Sequence, residues 1–159
     1  HELIEEFGYV APAHAVAALC QRVPDRSTPI LDMGCGTGLV GKHLTAEGYR
    51  EIDGMDLSPD MLVKARSLKI YQQLEECDLS RNIELSPIYG AILCVGVFSH
   101  NPQQPFDVAK LIHGLLPGGL VIATVNGKGW REIHWSNLLR QSAQQNHFSV
   151  EEIIDRSIG

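Results

Sequence analysis

Residues 30–38 read ILDMGCGTG, a short apolar run followed by a loop in which every second residue is glycine. Residues 39–47 then carry apolar side chains in helical register, so the segment predicts a strand, a glycine loop and a helix. Glycines at this place let backbone amides approach a ligand closely, because side chains there would fill the volume of the ligand. The loop therefore predicts a ligand site. The alternative is that the glycines only form a tight turn.

A carboxylate follows the second predicted strand. Residues 51–56 read EIDGMD and form a weaker strand that ends at Asp56. A carboxylate at a strand tip can accept two hydrogen bonds from the vicinal hydroxyls of a ribose. The alternative is a surface carboxylate near the start of a helix, where the helix dipole also favours it. Beside the glycine loop, ribose binding is the preferred interpretation.

The rest of the chain alternates between helices and strands. Helices are predicted over residues 12–23, 39–47, 59–68, 106–116 and 130–145, and strands over 30–33, 51–56, 71–77, 91–95 and 120–125. The first helix carries Pro12 in its first turn, residues 117–119 read PGG and end the fourth, and a last helix starts at Ser149 with a capping-box pattern. This alternation predicts a Rossmann-like, three-layer α/β/α sandwich with a mostly parallel sheet of strand order 3-2-1-4-5.

Composition excludes several classes of function. The 159 residues are 44% hydrophobic and 20% charged, as expected for a single globular domain spanning 1–159. A net charge of −6 supplies no positive field, so nucleic acid is not expected as a partner. No apolar run approaches the ~20 residues that cross a bilayer, and a cytoplasmic location is expected. Four cysteines and seven histidines show no ligand spacing, so we expect no metal.

The glycine loop carries a resemblance to a known family. A dinucleotide fingerprint fails, because Leu39 stands where G-x-G-x-x-G requires its third glycine. Residues 31–38, LDMGCGTG, instead resemble the first motif of the class I methyltransferases that use S-adenosylmethionine. Residues 7–12, FGYVAP, and 94–100, CVGVFSH, are similar to the small methyltransferases named after the Williams–Beuren syndrome chromosome region. The resemblance covers residues 7–130.

This resemblance implies S-adenosylmethionine as the cofactor and S-adenosylhomocysteine as its product. In these enzymes the position of Asp78 often contacts the adenine amino group, and Leu57 would pack on the adenine; the alternative for Asp78 is a turn residue. The cofactor-binding positions that the resemblance implies are Asp32, Gly34, Cys35, Gly36, Gly38, Asp56, Leu57, Met61, Cys77, Asp78, Leu79 and Val95.

The acceptor is expected at the carboxyl ends of strands four and five, where α/β sheets place ligands. His100 is the candidate general base, since the ordinary pKa of histidine lies near neutral pH; the alternative is a half-exposed loop histidine. Methyl transfer from a sulfonium needs proximity and alignment rather than a nucleophilic residue. Residues 101–104 read NPQQ instead of D/N-P-P-Y, which disfavours nucleobase methylation. The alternative for Tyr9 and Trp130 is that each is an aromatic side chain at the edge of the core. The predicted acceptor-side residues are Tyr9, Val97, Phe98, Ser99, His100, Asn101, Asn126 and Trp130.

Methyl transfer to a small-molecule acceptor is the leading function at this point. The alternatives are binding of the cofactor or its product without transfer, and an NAD-linked oxidoreductase, which Leu39 disfavours. Gly90 stands where the family commonly has an acidic residue, and no closing β-hairpin, strands six and seven, is evident after Val125. A truncated chain, a fragment and a minimal version each explain the missing hairpin. The open edge of strand five predicts cover by residues 130–158 or self-association with another chain.

Overall fold

Five parallel strands form the central sheet. They are β1 (Ile30–Met33), β2 (Ile52–Asp56), β3 (Gln73–Glu76), β4 (Tyr89–Phe98) and β5 (Leu115–Val125). Their order is β3-β2-β1-β4-β5 with every neighbouring pair parallel, which confirms the predicted topology. The structure is a computed structural model that describes residues 2–99 and 101–151, and for residues 2–10 it describes the backbone alone.

Helices cover both faces of the sheet. They are α1 (Glu2–Arg22), α2 (Leu39–Ala46), α3 (Pro59–Ser67), α4 (Gln104–Ile112), α5 (Gly127–Glu132) and α6 (Trp135–Asn146). One hydrophobic cluster joins α1 and α2 to the sheet, and a second joins α4 and α6 to its opposite face. All four residues of β1 are buried, with Ile30 in the first cluster and Leu31 in the second. The three-layer sandwich is therefore confirmed.

Local capping signals predicted α3 correctly. Ser58 has an extended backbone, and its hydroxyl oxygen accepts a hydrogen bond from the backbone N–H of Met61 at 3.3 Å. Pro59 occupies the first helical position, where its missing N–H leaves no helical bond unmade. These two residues fix where the chain leaves the tip of β2.

Several predicted boundaries were wrong. Helix α1 starts at Glu2, so Pro12 lies inside the helix instead of in its first turn. Helix α4 ends at Ile112, and residues 117–119 lie within β5. They fall in a register shift between Leu115 and Leu120 of this edge strand, and proline is tolerated both at bulges and on edge strands. Strand β4 continues past Gly96 to Phe98 through a register shift.

The region after β5 also differs from the prediction. Two helices, α5 and α6, stand where one was expected, and His134 separates them with a φ of 54°. Residues 147–151 are not helical, and the remainder of the predicted last helix lies outside the described residues. Over the described part of the chain, no helix is long and apolar enough to cross a membrane.

Strand β5 is covered on its faces but open at its edge. Leu120 and Ile122 pack against the first cluster, whereas Val121 and Val125 pack against the second, which includes side chains of α5 and α6. The helices with the main contacts to β5 are α1 and α4, so the predicted cover by residues 130–158 stays a prediction. Within residues 2–99 and 101–151, no strand pairs with the outer edge of β5.

Candidate functional site

The carboxyl ends of all five strands meet at one edge of the sheet. The chain runs outward from β1 to β2 and β3 and then returns to β4 on the other side of β1. The strand order therefore reverses at β1, and because α/β sheets bind ligands in a crevice at such a switch point, we place the candidate crevice there. The glycine loop, residues 34–38, forms one wall of this crevice.

Backbone hydrogen bonds attach the glycine loop to the end of β2. The N–H groups of Gly34 and Cys35 both donate to the carbonyl oxygen of Met55, at 2.7 and 2.9 Å. The N–H of Gly36 donates to Oδ2 of Asp56 at 2.9 Å. The loop and the predicted ribose-binding carboxylate therefore form one connected unit.

Gly34 and Gly36 of the loop differ in how much space surrounds them. A Cβ on Gly34 would collide with Cγ2 of Val97, and its backbone has a φ of +75°, so both the space and the conformation at this position favour glycine. A Cβ on Gly36 would meet no atom within 4 Å, and its backbone has a φ of +55°. Gly36 thus exposes its backbone to open space, as close approach of a ligand requires.

Asp56 is held in place from two sides. Its Oδ2 accepts from Gly36, and its Oδ1 accepts from the backbone N–H of Ser58 at 3.0 Å. Each carboxylate oxygen can accept a second hydrogen bond, so the carboxylate remains able to bind two ribose hydroxyls.

Two apolar side chains beside Asp56 are exposed. Leu57, just before the N-cap of α3, is 60% exposed, and Met61 in the first turn of α3 is 37% exposed. Exposed apolar side chains next to a hydrogen-bonding carboxylate suit a nucleoside, whose base is an aromatic surface and whose ribose carries hydroxyls. The residues present therefore fit the nucleoside part of the cofactor that the sequence predicts.

Asp78 lies in the loop after β3. Its Oδ1 accepts from the N–H and the hydroxyl of Ser80, at 3.0 and 2.6 Å, and these bonds lower the pKa of Asp78. Its Oδ2 lies 3.4 Å from Nε of Arg81. Asp78 also lines a cleft of about 310 Å³ with Met55 and Cys77. It has the contacts of a turn residue while facing the predicted adenine side.

Asp32 lies beneath the loop rather than at its surface. The side chain is 1% exposed, and its Oδ2 accepts a hydrogen bond from the hydroxyl of Tyr71 at 2.7 Å. Burial raises the pKa of Asp32 to about 7, and the Tyr71 hydrogen bond opposes that rise. Sequence reasoning missed Tyr71, since a tyrosine at the start of a polar edge strand carries no signal of its partner.

The other predicted cofactor residues are buried or half-buried, and Cys77 also lines the cleft beside Asp78. The thiol of Cys35 packs with Leu62 and Ala65, so Cys35 presents only its backbone to the crevice. Val95 packs against the first cluster, and Cys77 and Leu79 pack against the second.

Phe98 does not face the acceptor side as expected. It is 3% exposed, and its ring packs against that of Trp135 with centroids 5.4 Å apart. Because β4 is longer than predicted, Phe98 is a strand residue covered by α6 instead of a loop residue. The indole N–H of Trp135 donates to the carbonyl oxygen of Ser99 at 3.0 Å, which fixes the start of the loop after β4.

Ser99 and Asn126 are exposed at the carboxyl ends of β4 and β5. The side-chain oxygen of Asn126 caps α5 by accepting from the N–H groups of Lys128 and Gly129, at 2.9 and 3.4 Å. Trp130 is half-buried and stacks on Trp135, with centroids 6.2 Å apart. His100 and the side chain of Tyr9 lie outside the described residues.

Gly90 lies at the opposite end of β4 from the crevice. Its N–H donates to the carbonyl oxygen of Pro29 at 2.9 Å, and a Cβ there would collide with Thr28. The absence of an acidic side chain at this position therefore leaves the crevice at the carboxyl ends unchanged, and it no longer favours binding without transfer.

The parallel sheet, the glycine loop at the switch point and the carboxylate at the tip of β2 define a nucleoside-binding α/β domain. Comparison with known proteins gives the family. The methyltransferase domain family matches residues 30–119, more than half of the chain, and the chain belongs to that family.

Individual relatives agree with this assignment. The chain is 41% identical over 120 residues to human methyltransferase-like protein 27, covering 73% of this chain and 49% of that protein. It is 29% identical over 118 residues to the dTDP-3-amino-3,6-dideoxy-alpha-D-glucopyranose N,N-dimethyltransferase of Streptomyces fradiae, covering 72% and 46%. The chain thus spans about half the length of these curated relatives.

A solved structure shows the same fold. An S-adenosylmethionine-dependent methyltransferase from Leishmania major superposes with a TM-score of 0.68 at 17% identity, over 85% of this chain and 62% of that one. Family membership together with this fold indicates S-adenosylmethionine as the cofactor.

Proposed function

We propose that this domain transfers a methyl group from S-adenosylmethionine to a small-molecule acceptor. The observation that carries the proposal is the crevice at the switch point, where the open backbone of Gly36 adjoins the Asp56 carboxylate and the exposed Leu57. Membership of the methyltransferase domain family supports the reaction class.

Each part of the crevice has a role toward the cofactor. Asp56 accepts hydrogen bonds from the ribose, Leu57 and Met61 cover the base, and Asp78 lies on the side of the adenine amino group. The glycine loop leaves room for the amino-acid portion. These roles use the exposed apolar surface and the free acceptor capacity of Asp56.

S-adenosylmethionine supplies a methyl group that its positively charged sulfur activates. The protein then contributes mainly alignment, since in-line displacement needs the reacting atoms held ~3–3.5 Å apart. The loop after β4, which Trp135 fixes through Ser99, and the start of α5 form the acceptor side. His100 stays the predicted general base, needed only where the acceptor must lose a proton.

The acceptor is proposed to be a small amine or hydroxyl compound. The Streptomyces relative is named for dimethylation of an amino sugar nitrogen, which supports an amine. A shallow cleft between α5 and α6, the two helices that follow β5, has room for a small molecule and is lined by Trp130, Arg131, His134, Ser136 and Asn137. The net charge of −6 supports such an acceptor over nucleic acid.

The four cysteines, Cys20, Cys35, Cys77 and Cys94, are free thiols. Free thiols persist in reducing compartments, which supports the cytoplasmic location that forms part of this proposal.

Calorimetry and turnover test the proposal together. The purified domain is titrated with S-adenosylmethionine, S-adenosylhomocysteine and NAD, and we expect the first two to bind and NAD not to. It is then incubated with S-adenosylmethionine and a panel of amines and hydroxyl compounds, with release of S-adenosylhomocysteine measured by mass spectrometry. Binding without transfer to any acceptor would favour a binding domain, and binding of NAD alone would contradict the proposal.

A further inference from the structure

The ring of Tyr71 fills a space that three glycines leave open. Tyr71 lies between α3 and β3 and is half-buried. A Cβ on Gly41 of α2 would lie 2.7 Å from its Cζ, a Cβ on Gly54 of β2 would lie 3.0 Å from its Cδ1, and a Cβ on Gly38 would lie 3.3 Å from its Cε2. The ring thus supports the end of the glycine loop and the start of α2 from below.

The hydroxyl of the same tyrosine reaches Asp32. Its bond to Oδ2 is 2.7 Å long, and Asp32 lies in β1 just before the loop. Among the residues whose side chains the structure describes, the other titratable groups that interact with Asp32 are Asp56, Cys35 and Cys94. The charged forms of these groups are all negative, so the hydrogen bond from Tyr71 is the interaction that favours the ionised form of Asp32.

We propose that Tyr71 is a positioning residue of the cofactor site. The ring of Tyr71 fixes the glycine loop, and its hydroxyl keeps the Asp32 carboxylate available as a buried anion for the cationic end of S-adenosylmethionine. The proposal rests on the cofactor assignment above. The sulfonium and the ammonium group of the cofactor are both positive, and both belong to the portion that the glycine loop receives.

The proposed role of Asp32 predicts that cofactor binding releases a measurable number of protons. With a pKa of about 7, Asp32 is mostly protonated at pH 6 and mostly ionised at pH 8. A bound cation favours the ionised form, so binding at pH 6 releases the Asp32 proton to the buffer, whereas binding at pH 8 releases almost none. Affinity for the cofactor should consequently rise with pH up to about 7 and then level off.

Removing the Tyr71 hydroxyl should shift the pH dependence of the affinity for the cofactor. Without its hydrogen bond the pKa of Asp32 rises further, because that bond is what lowers it. In Tyr71→Phe the affinity should level off at a higher pH, and affinity at pH 7 should fall by up to about tenfold for each unit by which the pKa rises.

Tyr89 provides a matched control. Its hydroxyl donates to Oδ2 of Asp53 at 2.7 Å, the same kind of pair at the same distance, on strands rather than beneath the loop. Tyr89→Phe should lose stability much as Tyr71→Phe does, yet keep the pH profile of the wild-type domain.

The experiment is calorimetric titration with S-adenosylmethionine at pH 6, 7 and 8, in buffers of different ionisation enthalpy so that released protons are counted. We expect near one proton at pH 6 for the wild type, the shifted profile for Tyr71→Phe and no shift for Tyr89→Phe. Asp32→Asn, a second variant, should release no Asp32 proton and bind with an affinity that does not level off near pH 7.

Two results would overturn the role of Tyr71. One is a pH profile of Tyr71→Phe that matches both the wild type and Tyr89→Phe. The other is a wild-type domain that binds the cofactor with no proton release at pH 6, which would leave the proposed function intact. Failure of the wild type to bind S-adenosylmethionine at any of the three pH values would instead overturn the proposed function and this inference together.

Discussion

The carboxylate of Asp56 accepts hydrogen bonds from two backbone N–H groups and can still accept hydrogen bonds from a ligand. Replacing it with alanine should weaken binding of S-adenosylmethionine by roughly 1.5–3 kcal/mol, the range for hydrogen bonds to charged groups. Calorimetry measures this loss. Asp60→Ala, which removes an exposed carboxylate from the first turn of α3, is the control and should bind normally. Equal affinity of the two variants would contradict the ribose assignment.

Gly36 allows a second test at the residue scale, because its backbone faces open space. Gly36→Val should abolish cofactor binding, since its side chain would enter the ligand volume, as well as strain a backbone with positive φ. Gly118 has a φ of +80° and equally open surroundings in β5. Gly118→Val should therefore lose stability to a similar degree and keep its affinity; retained binding in Gly36→Val would mean that the loop is only a turn.

Asp32 makes the stability of the domain depend on pH. Folding raises the pKa of Asp32 from 3.8 to about 7, so between these values the folded state holds a proton that the unfolded state lacks. The free energy of unfolding should fall as pH rises through this window, by up to about 1.4 kcal/mol per unit. Urea unfolding at pH 5, 6, 7 and 8 measures the free energy of unfolding of the wild type and of Asp32→Asn. The difference between the two values should fall with pH along this slope. A difference that stays constant with pH would contradict the buried, raised pKa.

The sequence predicted those residues of the candidate site that belong to a local sequence motif. The glycine loop and Asp56 follow from a motif and from their positions at strand ends, and the structure brings them together. Tyr71 could not be predicted, because its partners come from β1, α2 and β2 and only the tertiary fold assembles them. Whether the predicted residues bind the cofactor stays a prediction for calorimetry.

Elements with strong local signals were predicted well. Strand β1 is confirmed at both ends, and α3 is confirmed by its Ser58 cap. The signals that failed were those of Pro12 and of the PGG run at residues 117–119. Pro12 lies inside α1, and residues 117–119 lie inside an edge strand, because neighbouring elements decide whether a missing N–H or a flexible backbone is tolerated.

Helix α6 is attached to β4 through Trp135. This side chain is 1% exposed and combines an aromatic contact to Phe98 with the hydrogen bond to Ser99. Trp135→Phe should lower the free energy of unfolding by at least about 1 kcal/mol, the net value of one hydrogen bond. Trp130→Phe, which alters the half-buried neighbour in the stack, should cost less. Urea unfolding of both variants measures the difference, and equal losses would show that the Ser99 bond adds nothing.

For the molecule as a whole, the open edge of β5 predicts self-association. Unpaired strand edges are templates for pairing with another chain, and a charge on the edge suppresses such pairing. Ala123 is exposed in the middle of the apolar part of β5. Sedimentation velocity of the wild type should show association that grows with concentration, and Ala123→Lys should reduce it. A wild type that remains monomeric at all concentrations would contradict this prediction.

The strand order also sets the sequence of events in folding. Ile30 in β1 faces Ile52 in β2 on one side and Ala91 in β4 on the other. The first pairing closes a short loop, whereas the second joins segments from distant parts of the chain, and such non-local pairings are formed slowly. During synthesis, one edge of β1 should therefore stay unpaired until β4 has left the ribosome. In that interval the unpaired edge exposes the nascent chain to aggregation.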